Sequence, residues 1–305
     1  MALQPSFLHV SVVALLVFFS FLLSHGETAA VQGVCHTHDP PNPLAASFPN
    51  NSTGVLNATL AIIPIPLETA RRLIPSQYKI LEHAYRAVIP DFPKGMYPVL
   101  LQAAHDHDVQ FRAYNITIDD FSRAGFEFGF LDLLGDGYSS FRWAPAQLIT
   151  STNNIAVEGS RAYGTVVSPA EYEPMCDAYQ QLPNGNTYFK ATSLDSRDFI
   201  ELEFARTPHS SRHRYPLELY RNITNQPTFA NASSCDNMIR FFNTSMSTGE
   251  HAPVAVRGKA TGRAFPFNET THKWADVHGI QVATPFIENN YLDCQTMKGY
   301  PGSAG

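Results

Sequence analysis

Polar side chains set inside apolar, strand-forming runs are where this chain could do chemistry. Ser140-Phe141-Arg142-Trp143-Ala144 places a guanidinium and an indole where a sheet interior is otherwise expected. Arg161 and Tyr163 alternate onto one face of an expected strand, and Tyr188 and Lys190 do the same in Thr187-Tyr188-Phe189-Lys190. Gln102 is the nearest polar group in the apolar stretch that follows Tyr97. Groups of these types suit polarisation of substrate oxygens and proton relay. On that reading Arg142 and Lys190 are donors to oxygens and Tyr163 passes a proton. Trp143, Arg161, Tyr188 and Gln102 line the binding space. Each has an ordinary alternative: a surface ion pair for Arg142, the core for Trp143, a satisfied buried phenol for Tyr163, solvent for Lys190.

Several other templates are missing. The chain contains no G-x-S-x-G, no H-E-x-x-H and no Gly-rich phosphate loop. His105-Asp106-His107-Asp108 could present two imidazoles on one strand face, as a metal site requires. The plainer expectation is a charged turn between strands at 97–104 and 109–118, and His36-x-His38 is weaker still. No metal and no cofactor are expected.

These groups need a scaffold and a compartment. An apolar leader at residues 10–23, followed by Ser24-His25-Gly26, suits signal peptidase and predicts a signal peptide over 1–26. Its n-region carries no Lys or Arg. No later segment reaches the roughly 20 apolar residues of a membrane span. Asn-X-Ser/Thr sequons begin at Asn50, Asn51, Asn57, Asn115, Asn222, Asn231, Asn243 and Asn268, so a secreted or lumenal glycoprotein is expected. Cys35, Cys176, Cys235 and Cys294 are widely spaced and include no C-x-x-C pair, which predicts two disulfides. Three pairings are possible, of which Cys35–Cys294 with Cys176–Cys235 is favoured. A net charge of −6 without a basic cluster argues against nucleic acid or an anionic membrane surface as partner, and residues 211–214 read as a solvated loop.

Residues 27–305 are expected to form one β-rich domain. Strands are predicted at 58–65, 79–89, 97–104, 109–118, 126–133, 138–149, 161–167, 187–194, 199–205, 215–223 and 275–285. Helices are predicted at 67–74, from the capping box Ser168-Pro169-Ala170-Glu171, and at 235–242 with Ser234 as cap. Many strands with few short helices predict a mainly antiparallel barrel or cone around an apolar cavity.

The stretch 58–178 resembles the acetoacetate decarboxylase superfamily. The likeness lies in Arg71-Arg72-Leu73-Ile74-Pro75, Ile89-Pro90-Asp91, Tyr97 in an apolar strand, and Gly159-Ser160-Arg161-Ala162-Tyr163-Gly164. It implies a cone-like β architecture. Thr165, Val166, Val167 and Ser168 stand where that family carries its Schiff-base lysine, so imine chemistry is disfavoured. The whole chain also resembles fungal secretory hetero-Diels–Alderases of tropolone–sesquiterpenoid pathways, through its leader, sequons, four cysteines, length and CHTHDPPNP run. That likeness implies a cofactor-free cycloaddition between a tropolone ortho-quinone methide and a humulene-type alkene, with apolar small molecules as partners and Arg142, Tyr163 and Lys190 as candidate catalytic groups. The alternatives are a secreted carrier of an apolar metabolite or a decarboxylase-like lyase without the usual lysine.

Overall fold

Long runs of apolar and β-branched residues build the longest strands, and prolines and short polar turns end them. The computed structural model describes Cys35, Thr37 and residues 39–208, 213–231 and 234–299. The expected signal segment, His36 and His38 lie outside the described residues. In chain order come β1 (Ser52–Pro66), α1 (Leu67–Leu73), β2 (Lys79–Ile80), α2 (Glu82–Val88), β3 (Met96–Phe111), β4 (Ile116–Ile118) and β5 (Phe121–Asp132). Then follow β6 (Ser140–Trp143), β7 (Ala146–Thr150), α3 (Asn154–Ala162), β8 (Val166–Glu173), β9 (Gln180–Gln181), β10 (Thr187–Ser193) and β11 (Phe199–Arg206). The chain continues through α4 (Leu217–Thr224), β12 (Thr228–Phe229), β13 (Ser234–Arg240), β14 (Val254–Arg263) and β15 (His272–Asp293). Among the described residues no helix is long and apolar enough to cross a membrane.

Pairing runs β5-β7-β8-β10-β11-β14-β15-β1-β3, and β3 pairs back onto β5, so the sheet closes into a ring. Every pairing in the ring is antiparallel except β7 with β8, which α3 connects. The expected barrel-like, mainly antiparallel β architecture is therefore present. Alternation along the strands separates two faces. Gln281 Nε2 on β15 donates to Thr59 Oγ1 on neighbouring β1 and to Thr187 Oγ1 on distant β10, at 3.3 and 2.8 Å. These three side chains therefore meet across the inside of the ring. In register with them, Asn57, His105 and Ser122 also face inward. Gln102, Asp106, Arg123 and Glu127 occupy the opposite, outward parity.

A second layer covers that outer face. The β5–β6 register shifts between Phe128 and Leu131, and Phe130 has φ +59°. This bulge lets β5 leave the ring and pair with β6. β6 pairs β12, β12 pairs β13, and β13 returns to the far end of β15. Helix α4 packs behind, burying Leu219, Tyr220 and Ile223. Gly129 is required there, because a Cβ would lie 2.6 Å from Ile223 Cγ1.

Several local expectations are overturned. Residues 82–88 are helical, because Leu81, Tyr85 and Ile89 bury at a spacing of one turn. Arg161 lies in the last turn of helix α3, whose N-cap Asn153 accepts from Ala156 N at 2.9 Å. The segment 217–224 is α4, with Pro216 at its cap. The Ser168-Pro169-Ala170-Glu171 box lies within strand β8, where pairing with β7 and β10 overrides local capping. Residues 234–240 form strand β13, tied by a disulfide. His105–Asp108 is strand, with the imidazoles inward and Asp106 outward. The favoured cysteine pairing is also replaced: Cys35 bonds Cys176 and Cys235 bonds Cys294. Two such bonds fit an oxidising, secretory environment.

Candidate functional site

Between the ring and the second layer lies a cavity of about 560 Å³. Its wall includes apolar residues, Phe121, Phe229, Met238 and Phe286 among them. The same wall carries charge. Arg123, Arg142 and Arg240 reach it from β5, β6 and β13, and Asp106, Glu127, Asp236 and Glu288 reach it from β3, β5, β13 and β15.

The charges are paired in a definite way. Arg123 holds Asp106 with two contacts of 2.9 Å, Nη2 to Oδ1 and Nε to Oδ2. Arg142 Nη1 lies 3.0 Å from Glu127 Oε2, and its Nη2 donates to Thr228 Oγ1 at 2.7 Å. Arg240 Nη2 donates to Gln102 Oε1 at 2.6 Å. Gln102 Nε2 in turn donates to Glu127 Oε1 at 3.4 Å. Arg240 is 1% exposed, yet its Nε and Nη1 have no partner. Burial, with the neighbouring charges of Arg142 and Arg123, pushes it down to about 9. It remains a cation at neutral pH.

Asp236 on β13 and Glu288 on β15 reach the same cavity, and each influences the other's titration. Burial raises both carboxyls above the ordinary range, against the lowering influence of nearby arginines, Arg142 foremost for Asp236. Four carboxyls facing three guanidiniums come into charge balance if this pair keeps one proton. The β13–β15 register shifts between Cys235 and Asn237. Asp236 occupies that irregularity, next to the Cys235–Cys294 bond. Burial also raises Asp106. On Arg123 it acts downward, but the carboxylates of Asp106, Glu288, Glu127 and Asp236 outweigh it.

Tyr163 sits at the same cavity, stacked on Tyr291 at 5.2 Å between ring centroids. Tyr291 N donates to the Tyr163 hydroxyl at 3.0 Å, from a backbone with φ +56°. A bulky residue held there costs about 1–3 kcal/mol. Burial raises the phenol, so Tyr163 stays protonated and keeps an O–H to donate.

No family model and no curated protein matches the chain. A solved structure of the enduracididine biosynthesis enzyme MppR, complexed with the condensation product of pyruvate and imidazole 4-carboxaldehyde, is similar over 80% of this chain and 90% of its own. Identity is 8% and the TM-score 0.40. A likeness that slight fixes neither ancestry nor activity.

The residues singled out from sequence divide in two. Arg142 and Tyr163 line the cavity, and Gln102 stands behind it, holding Arg240 and Glu127. Trp143 is buried and packs on Phe128, at 5.4 Å between ring centroids. Arg161 is a surface residue paired with Glu158 at 2.8 Å. Tyr188 hydrogen-bonds Glu201 at 3.3 Å, and Lys190 lies opposite Glu173 and Glu201 in the ladder. Neither of these last two lines the cavity. Of the sequon residues, Asn50, Asn115, Asn231, Asn243 and Asn268 are exposed, and Asn51 and Asn222 are half-buried. Asn57 faces into the ring, where its Nδ2 bonds Asp39 Oδ2.

Arg123, Glu127, Asp236, Arg240 and Glu288 escaped the sequence reading. Arg123 and Glu127 could have been found: in Phe121-Ser122-Arg123-Ala124-Gly125-Phe126-Glu127-Phe128 both charges fall on one parity of a strand. Nothing local marks Asp236, Arg240 or Glu288.

Proposed function

We propose that this chain is a cofactor-free pericyclase, joining a tropolone-derived ortho-quinone methide to the alkene of a humulene-type sesquiterpene. The observation that carries the reading is a cavity whose wall combines aromatic and aliphatic side chains with arginine and phenol donors. Its volume of about 560 Å³ falls within the roughly 300–1,000 Å³ common to small-molecule sites. Such a reaction needs two partners held in reacting geometry, which lowers the barrier by several kcal/mol and by about 7–11 in the best-oriented cases. Arg142 and Arg240 would hold the oxygens of the tropolone, drawing electron density from the heterodiene. Tyr163 would donate to the same oxygens. Phe121, Phe229 and Phe286 would take the flat ring and the hydrocarbon.

A carrier of apolar metabolites would gain nothing from three arginines and four carboxyls withdrawn from water, because desolvating charge is costly. An imine-forming lyase would need an amine, and among the described residues no lysine lines the cavity. Lys190, read from sequence as a donor to substrate oxygens, lies on β10 outside that lining. Purified protein incubated with the tropolone alcohol and the alkene is expected to give one stereoisomer faster than the uncatalysed background. A yield and isomer ratio equal to background would end the reading.

A further inference from the structure

We propose that Asn115 carries an N-linked glycan whose first sugars lie over an apolar rim of the cavity mouth, so that carbohydrate, rather than a bilayer or a partner protein, covers that surface. The inference is independent of the reaction the cavity performs.

Asn115-Ile116-Thr117 crosses a tight turn. A 3₁₀ turn (Arg112–Tyr114) leads into Asn115, whose backbone adopts φ +54° and whose N–H donates to Arg112 O at 3.0 Å. Asn tolerates this left-handed conformation better than most residues. That accounts for an Asn at the turn, and leaves its side chain exposed. It does not call for a hydroxyl two residues on. Thr117 is exposed on β4, opposite Gln110 of β3, where many residue types would serve. Asn57 shows the contrasting case of a closed sequon, since its amide faces into the ring and bonds Asp39.

The surface around this turn is the second observation. Tyr114 is 66% exposed, Ile116 44% and Phe48 38%. Ala113 N donates to Pro49 O at 2.8 Å, which brings the Phe48 segment beside the Asn115 turn. Tyr114 rests on Phe111, at 4.4 Å between ring centroids, and Phe111 and Ile116 line the cavity. Three large apolar side chains are thus exposed together at one edge of the mouth, and a patch of that kind marks contact with something else. A net charge of −6 argues against an anionic bilayer. The sequon, by contrast, lies within the patch, with Asn115 between Tyr114 and Ile116. An oligosaccharide there is bulky and hydrated. The C–H faces of its first sugars cover Tyr114 and Ile116 while its hydroxyls face water. The two disulfides fit the compartment in which such a transfer takes place.

The transfer needs a lipid-linked oligosaccharide pyrophosphate as co-reactant. The Asn115 amide nitrogen displaces the pyrophosphate from the anomeric carbon of the first sugar. A carbon–nitrogen bond forms, the carbon–oxygen bond breaks with its electron pair leaving on the pyrophosphate, and the amide gives up one proton to the transferase. No oxidant or reductant enters.

The test uses the full chain expressed through a eukaryotic secretory pathway. Peptide-N-glycosidase in heavy-oxygen water converts each glycosylated Asn to a labelled Asp, read by peptide mass spectrometry, and Asn115 is expected to be labelled in most molecules. Three variants follow. Thr117→Ala destroys the sequon and keeps Asn115, Asn115→Gly destroys it while suiting the positive φ, and Thr117→Ser preserves it. In sedimentation velocity, the two glycan-free variants should show a sedimentation coefficient that rises with protein concentration. Wild type and Thr117→Ser should show no such rise, and adding Tyr114→Ser to Thr117→Ala should remove it. Because the glycan-free variants act on different residues, a folding failure in one leaves the other to decide. An unlabelled Asn115 in wild type, or glycan-free variants that sediment as wild type does, would overturn the proposal. So would flotation of the glycosylated wild type with phosphatidylcholine vesicles, which would leave the patch to a bilayer.

Discussion

Arg142 and Glu127 form an ion pair of 3.0 Å with side chains 4% and 2% exposed. Withdrawing such a pair from water costs several kcal/mol per ion, and mutual attraction recovers that only while both partners are present. Glu127→Leu alone removes the ion-pair partner of Arg142 and leaves Thr228 as its hydrogen-bond acceptor, and is expected to lower unfolding free energy by about 3–5 kcal/mol. The double variant Glu127→Leu with Arg142→Met removes both charges and is expected to recover most of that loss. Urea midpoints at constant slope measure both. Turnover should be lost in the double variant even where stability returns, because Arg142 is a proposed donor to the substrate oxygens.

A second prediction concerns the inside of the ring. His105 is pushed down to about 4, by burial first and then by the neighbouring His107. Its folded value lies below the ordinary 6.5, so the unfolded chain binds the proton more readily. Stability carried by neutral His105 is therefore fully present above about pH 6.5 and is lost as pH falls toward about 4, by about 3 kcal/mol in total. The raised carboxyls of Asp106, Asp236 and Glu288 act oppositely, since they take up protons more readily in the folded state. Comparing wild type with His105→Asn isolates the imidazole. The variant should show a shallower loss of stability between about pH 7 and about pH 4.5, by denaturant unfolding. An identical slope in the two proteins would show that His105 does not titrate in this way.

How far the sequence reaches follows from which forces are local. β1 and β3 were legible because their apolar runs bury in the ring on both faces, and α1 because Pro66 and Pro75 bracket it. The run 215–223 has strand-like composition, yet Pro216 and the burial of Leu219, Tyr220 and Ile223 make it helix α4. β13 shows the reverse: Ser234 looks like a cap, but pairing with β15 makes a strand. At the site, Arg142 and Tyr163 stood out because a charge or phenol in an apolar run is visible from its neighbours. Arg240, Asp236 and Glu288 acquire meaning only when β13 folds back onto β15, a relationship between residues some fifty positions apart. Arg161 misled for a related reason, since its Tyr163 neighbour does reach the cavity but from the end of a helix.

Tyr163 offers a cleaner separation of roles. Tyr163→Phe keeps the stack on Tyr291 and removes only the hydroxyl, leaving Tyr291 N–H without its acceptor. The fold should hold, at a cost of about 1–3 kcal/mol for the orphaned donor. If the hydroxyl relays a proton, kcat falls on the order of 10²-fold or more with little change in KM. Lys190→Met and Tyr188→Phe, away from the cavity lining, are the matched controls and should leave both constants unchanged. A Tyr163→Phe enzyme with wild-type kcat would remove the phenol from the chemistry.

The two disulfides make the last comparison, because they differ in what they hold. Cys235–Cys294 and Cys35–Cys176 close chain separations of 59 and 141 residues. On chain entropy alone, removing either should cost about 2–4 kcal/mol, with the longer closure costing slightly more. Their effects on the cavity should diverge. Cys235 adjoins Asp236, and its bond to Cys294 pins β13 to the end of β15, where Glu288 and Tyr291 also stand. Cys235→Ser with Cys294→Ser is expected to depress turnover well before global unfolding. Cys35→Ser with Cys176→Ser should lower the melting temperature yet retain turnover at temperatures where the protein is folded. Activity and circular dichroism followed together on one temperature ramp separate the cases. Equal retention of turnover in both variants would show that the Asp236 irregularity keeps its shape without the bond beside it.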